Sequence, residues 1–155
     1  MQIEGPASGI QEACEVVLRT LPKWFGIEAS LVQYARDTVT LPTFVVRDAR
    51  DVVGFLTLRQ HFRDAWEVHC IALRASHRGR GIGRALHEHV ERWLVERGAR
   101  VLQVKTMAES NSSPEYAETR RFYAAIGYTA LEVFPELWGP RLPVLQLVKA
   151  LPAPA

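Results

Sequence analysis

Two groups of residues in this chain have types and spacings suited to chemistry. The first is Ser76-His77-Arg78-Gly79-Arg80-Gly81-Ile82-Gly83-Arg84, where three glycines fall within five positions between an apolar run and a long amphipathic segment. Glycine lets the backbone approach a ligand closely, and a helix opening beyond the turn leaves N–H groups unpartnered at the positive end of its dipole. Such a turn can cradle phosphate. The second group is Glu67 and His69, two apart and just upstream of the turn. On a regular strand both project from one face, where either could receive a proton, directly or through water. The plainer alternatives are a connection that only turns the chain, a carboxylate paired with an arginine, and a hydrogen-bonded core histidine.

Spacing separates this cradle from two well-known ones. A dinucleotide fingerprint needs glycine at position 84 or 86, where Arg84 and Leu86 stand, and the phosphate loop of nucleotide hydrolases needs Gly-Lys-Ser/Thr, which is absent. Arg74, His77, Arg78, Arg80 and Arg84 gather around the turn, which suits a small polyanion. The net charge of +2 over 155 residues is too small to argue for nucleic acid. Cys14 and Cys70 are far apart and form no C-x-x-C pattern, so free thiols in a cytoplasmic protein are expected, with no zinc site. No apolar stretch approaches the ~20 residues of a membrane span, and no signal peptide is read at the N-terminus.

The elements that must position these residues can be read in order. A short edge strand over residues 1–4 precedes Gly5-Pro6, and Ser8 is the expected cap of a helix carrying Ile10, Cys14, Val17 and Leu21 on one face. Trp24 and Phe25 sit in a Pro- and Gly-bounded loop that either lines a substrate pocket or plugs the core. A second helix is expected over Ser30 to Val39. Strands Thr43–Arg47, Val52–Arg59 and Trp66–Leu73 read as an antiparallel meander. The helix after the glycine turn has the stripe Ile82, Leu86, Val90, Trp93 and Leu94, an outward Glu88–Arg92 pair, and Gly98 as its stop. Strand Val101–Met107 follows through a crossover and is therefore parallel to its predecessor. A helix over Tyr116–Ile126 and strands Tyr128–Phe134 and Val144–Leu151 complete an α+β fold. Its mixed, mostly antiparallel sheet has about six or seven strands and about four flanking helices. Residues 1–151 are read as one domain and 152–155 as a frayed tail.

Arg78-x-x-Gly81-x-Gly83 resembles the acyl-CoA pyrophosphate motif, R/Q-x-x-G-x-G/A, of the GCN5-related N-acetyltransferase (GNAT) superfamily. A second segment, Arg121-Phe122-Tyr123-Ala124-Ala125-Ile126-Gly127-Tyr128, is similar to that family's F-Y-x-x-x-G-F/Y, and the order of elements matches from end to end. Many members carry N-x-x-A before Phe-Tyr, whereas Tyr116 and Thr119 stand at those positions here and an asparagine, Asn111, lies in the preceding loop. The resemblance implies an acyl-CoA site built from Arg78, Gly79, Arg80, Gly81, Ile82, Gly83 and Arg84. It adds the backbone of Ile71, Ala72 and Leu73 on a strand splayed from its parallel neighbour. Asn111, Tyr116, Phe122 and Tyr123 complete that set.

The implied reaction moves an acetyl group from acetyl-CoA to a primary amine of a small molecule or protein. It requires proton removal from the amine, oxyanion stabilisation near Leu73 and protonation of a thiolate of pKa about 8.5. The family places a tyrosine at the position of Tyr123 as the acid. The position of Glu67 matches the glutamate of histone-acetylating members, and that of His69 a histidine of the arylalkylamine branch. Neither cysteine is a candidate acyl carrier: Cys14 lies on an apolar stripe, and strand alternation sets Cys70 opposite His69 and Ile71. Direct attack without an acyl-enzyme is therefore expected. A CoA-binding sensor without transfer chemistry is the alternative. Trp24, Phe25 and Trp138 are the candidate acceptor contacts, and the exposed end strands leave a homodimer open.

Overall fold

Near-continuous apolar character in the three runs after residue 42 demands a sheet covered on both faces, and this is what the computed structural model, which describes residues 1–155, contains. In chain order the elements are β1 (Gln2–Glu4), α1 (Gln11–Arg19), α2 (Glu28–Asp37), β2 (Thr43–Asp48), β3 (Asp51–Gln60) and β4 (Ala65–Leu73). A short 3-10 turn at Ala75–His77 leads to α3 (Ile82–Glu96), β5 (Val101–Met107), α4 (Pro114–Ala125), β6 (Thr129–Phe134) and β7 (Val144–Ala150). The seven strands lie in the order β1-β2-β3-β4-β5-β7-β6. Only β4 and β5 are parallel, as the α3 crossover requires.

Two apolar layers hold the helices on. One joins Phe44, Leu56, Leu58, Trp66 and Val68 to the inner faces of α3 and α4 through Leu86, Val90, Leu94 and Tyr123. The other packs Val45, Phe55, Cys70 and Ala72 against Cys14, Val17 and Leu18 of α1 and Leu31 and Ala35 of α2. Each large apolar side chain buried this way contributes about 2 kcal/mol. No helix is long and apolar enough to cross a membrane.

Several boundaries differ from the sequence reading. Helix α1 starts at Gln11 behind Ile10, not behind Ser8, because Gly9 takes a positive φ of 70° and turns the chain first. Helix α2 spans Glu28–Asp37, two residues earlier at each end than expected. Helix α4 begins at Pro114, because Ser113 caps it by accepting the Tyr116 N–H and proline suits the first helical position. Glu88 and Arg92 both face solvent without pairing; the i,i+4 pair on α3 is His87–Glu91, with Nδ1 3.1 Å from Oε2. His87 is buried, its Nε2 2.7 Å from the Tyr128 hydroxyl, and Lys149 closes the cluster 2.8 Å from Glu91.

Candidate active site

The site arises where the sheet comes apart. Strands β4 and β5 pair from Ala65↔Val101 to Val68↔Val104 and no further. Beyond Val68, β4 continues against β3 and β5 against β7, so the two diverge. At the same place His69 has no partner on β3, because Val68 pairs with Leu58 and Cys70 with the next residue, Thr57. This bulge changes which way the strand faces. Trp66 and Val68 pack toward α3, whereas Cys70 and Ala72, at the same parity, pack toward α1 and α2. The expected opposition of His69 and Cys70 is thereby corrected: both face the α1–α2 side, and only Ile71 packs on the other.

The divergence opens a cavity of about 800 Å3. Its floor is the edge of β4 from His69 to Leu73, its far wall is Val104 to Met107 of β5, and the glycine turn and α4 close it. Gly79 and Gly81 have φ of 73° and 77°, a conformation strained for any residue with a Cβ. No atom lies within 4 Å of where a Cβ would sit on either, so this surface is open to a ligand. Gly81 ends on the first turn of α3, where the leading N–H groups have no helical acceptors. Gly83 serves packing instead: a Cβ there would come within 3.3 Å of Phe122 and 3.4 Å of Leu73.

Of the residues singled out for a phosphate-bearing ligand, all line this cavity except Arg74, His77 and the exposed Arg80; His77 instead sits 3.0 Å from Asp48. Arg78 stacks its guanidinium 4.3 Å from the centre of the Trp24 ring and sits 3.6 Å from Glu118. Arg84 donates to the Ala125 carbonyl at 3.0 Å. Asn111 spends its side-chain oxygen on the Ser113 N–H at 2.9 Å, at the head of α4. Tyr116 and Thr119 have a shared role that their spacing did not disclose. Tyr116 donates its hydroxyl to the Trp24 carbonyl at 2.9 Å, and Thr119 accepts the Trp24 indole N–H at 3.1 Å. Lys23 adds a contact to Glu115 at 3.2 Å. The loop before α2 is thus strapped to α4 at the cavity, and Trp24 and Phe25 both line it and pack against the apolar layer under α1 and α2.

The candidate proton carriers separate clearly. Tyr123 is buried on the α4 wall between Phe122 and Tyr128, both ring centres 5.4 Å away. Burial pushes its phenol well above the ordinary tyrosine range. Glu67 is buried and already engaged by two partners, His61 Nε2 at 2.6 Å and Lys105 Nζ at 3.0 Å. It lies outside the main cavity and lines a second one beside it. His69 lines both. Its Nε2 is 2.8 Å from Asp37 Oδ2 at the end of α2, and the Asp37 Oδ1 accepts from Gln33 at 2.7 Å. Lys105 and Thr119 line the larger cavity, while Asp37 and His61 hold His69 and Glu67 from outside it; sequence reasoning gave none of the four a role here. No group of three or more His, Cys, Asp or Glu side chains is placed to hold a metal ion.

Residues 10–128 match the family model described as the acetyltransferase (GNAT) family, and the chain belongs to that family. Solved structures share its fold. A protein assigned to the GNAT family from Desulfovibrio desulfuricans superposes with a TM-score of 0.82 at 16% identity, over 97% of this chain and 99% of that one. An aminoglycoside 6'-N-acetyltransferase complexed with coenzyme A gives 0.77 at 19% identity over 100% of both chains. The ribosomal-protein-S18-alanine N-acetyltransferase of Escherichia coli gives 0.76 at 19% identity, over 97% of this chain and 93% of that one. At such identities the likeness concerns the fold. No curated protein matches the sequence significantly.

Proposed function

We propose that this chain is an acetyl-CoA-dependent N-acetyltransferase that transfers the acetyl group directly to a primary amine. The observation that carries the reading is a single cavity that joins an open glycine turn, an unpaired β4 edge, His69 and Tyr123. Acetyl-CoA would supply the activated thioester and a thiolate leaving group. The turn from Arg78 to Arg84 would hold its phosphates, and the β4 edge from Ile71 to Leu73 the extended arm, with an unpaired N–H near Leu73 polarising the carbonyl.

His69 is the base in this reading. An ammonium of pKa about 10.4 has no lone pair to attack with, so the neutral fraction of the amine is the nucleophile. His69 accepts the proton at Nδ1, directly or through water, as the lone pair of the neutral amine attacks the thioester carbon and the nitrogen becomes acidic. Asp37 holds the ring by Nε2 and stabilises the charge it acquires. Glu67, held by Lys105 and His61, positions rather than accepts. Tyr123 donates to the departing sulfur; with its phenol raised by burial it stays protonated throughout the neutral range. Neither cysteine serves as a carrier, since burial pushes Cys14 up to about 12 and raises Cys70 as well, leaving few thiolates to attack.

The test is amine-dependent release of CoA from acetyl-CoA, comparing wild type with Tyr123→Phe after subtracting the protein's own thiols. Release that falls by about a hundredfold in the variant supports the reading. Tight acetyl-CoA binding with no release under any amine would favour the sensor alternative.

A further inference from the structure

Building on that reading, we infer that the smaller cavity beside His69 accepts a small primary monoamine on an apolar or aromatic body, and discriminates against polycationic acceptors. This cavity, of about 370 Å3, is lined by Tyr34, Glu67, His69, Lys105, Leu137 and Trp138. Tyr34, His69, Lys105 and Trp138 also line the larger cavity, so the two meet at the imidazole. An amine lodged in the smaller one presents its nitrogen to His69 at the junction.

Charge sets the acceptor's valence. Among the lining side chains and their bonded partners, Asp37 and Glu67 are acidic and Lys105 is basic. Both carboxylates are also committed, Asp37 to His69 and Gln33, and Glu67 to His61 and Lys105. The reacting nitrogen arrives as the neutral amine and needs no carboxylate, whereas any further amine of the acceptor stays an ammonium. A second or third would enter beside the Lys105 ammonium with no free carboxylate, and an unpaired cation taken out of water is expensive.

The walls set the body. Tyr34 is braced edge-on by Phe25 at 5.7 Å and leans on His69 at 5.3 Å. Opposite, Leu137 and Trp138 in the turn between β6 and β7 remain 51% and 43% exposed. Large apolar side chains left open at the rim of a pocket gain from a ligand that covers them.

The experiment measures kcat/KM on the full chain at saturating acetyl-CoA for 2-phenylethylamine, spermidine, kanamycin and an alanine-led peptide. The first should exceed each of the others by about tenfold or more. Lys105→Gln, which removes the cation beside Glu67, should shift the ratio toward spermidine by about tenfold. Trp138→Ala should raise KM for 2-phenylethylamine by about tenfold and leave KM for acetyl-CoA unchanged. Preference for spermidine, kanamycin or the peptide in wild type, or a ratio that Lys105→Gln does not move, overturns the inference. If no amine supports release, the acetyltransferase reading fails separately, and calorimetry on the acetyl-CoA-saturated protein decides the pocket. Binding of 2-phenylethylamine over spermidine that is lost in Trp138→Ala sustains it, and no binding overturns it.

Discussion

His69 Nε2 lies 2.8 Å from Asp37 Oδ2, which ties the bulged residue of β4 to the last residue of α2. The pair fixes the imidazole at the meeting point of two cavities, so its loss should be felt in turnover more than in binding. Asp37→Asn is expected to lower kcat by about ten- to hundredfold while KM for acetyl-CoA stays constant. His69→Gln should lower kcat/KM by about a hundredfold, and Glu67→Gln by only a few fold. The opposite ranking would reverse the assignment.

In the proposed reading Glu67 is a structural group, held by His61 and Lys105. Removing its carboxylate leaves Lys105 and His61 beside a largely buried gap. Glu67→Ala should cost about 2 kcal/mol of stability by denaturant titration. A loss within a few tenths would mean that water replaces both contacts.

Gly81 caps α3 at φ 77° with open space around its Cβ position. Gly81→Val should strain the turn by about 1–2 kcal/mol and project methyls onto the cradle. Equilibrium dialysis is expected to show acetyl-CoA affinity lowered by at least tenfold. Unchanged affinity would remove the turn from the binding site.

The Trp24 strap makes a local prediction. The amides of Trp24 and Phe25 both bond to the Leu21 carbonyl, and Tyr116 and Thr119 hold the segment from outside. Two hydrogen bonds worth about 1 kcal/mol each are lost in Tyr116→Phe/Thr119→Val, so exchange at those amides should quicken by about thirtyfold. Exchange at α3 should stay as it is.

Acid sensitivity is expected away from the cavity. Burial alone would raise the Glu91 carboxyl, but hydrogen bonds from His87 and Lys149 outweigh it and hold it below the ordinary carboxylate range. A depressed pKa contributes stability that is present above the unfolded value of about 4.3 and disappears as pH falls through the folded one. The difference in Tm between wild type and Glu91→Gln should accordingly be larger at pH 7 than at about pH 3. An equal difference at both would show that the carboxylate does not link folding to protons.

What could be read from the sequence was what local backbone and periodicity dictate. Gly79 and Gly81 announce a turn that only glycine tolerates, the α3 stripe announces its buried face, and the crossover forces β5 parallel to β4. The place of the bulge, at His69, was not legible in the strand's own pattern, because it is a property of the register against β3 and not of the strand itself. Asp37 with His69, Lys105 with Glu67, and Trp24 with Tyr116 and Thr119 are partners from distant parts of the chain. Their pairing follows from the packing of α2, β5 and α4, which no local pattern encodes. Arg80 shows the converse: inside a motif by position, its side chain still faces solvent.

The central claim, acetyl transfer to an amine in the cavity between β4 and β5, is met most directly by following a labelled acetyl group by mass spectrometry. Acetyl-CoA labelled in the acetyl carbons is incubated with amine and either wild type or His69→Gln. The account predicts labelled N-acetylamine in proportion to wild-type enzyme, a rate reduced by about a hundredfold in the variant, and no label on the protein. Label retained on Cys70, or product formed equally fast without His69, would contradict it.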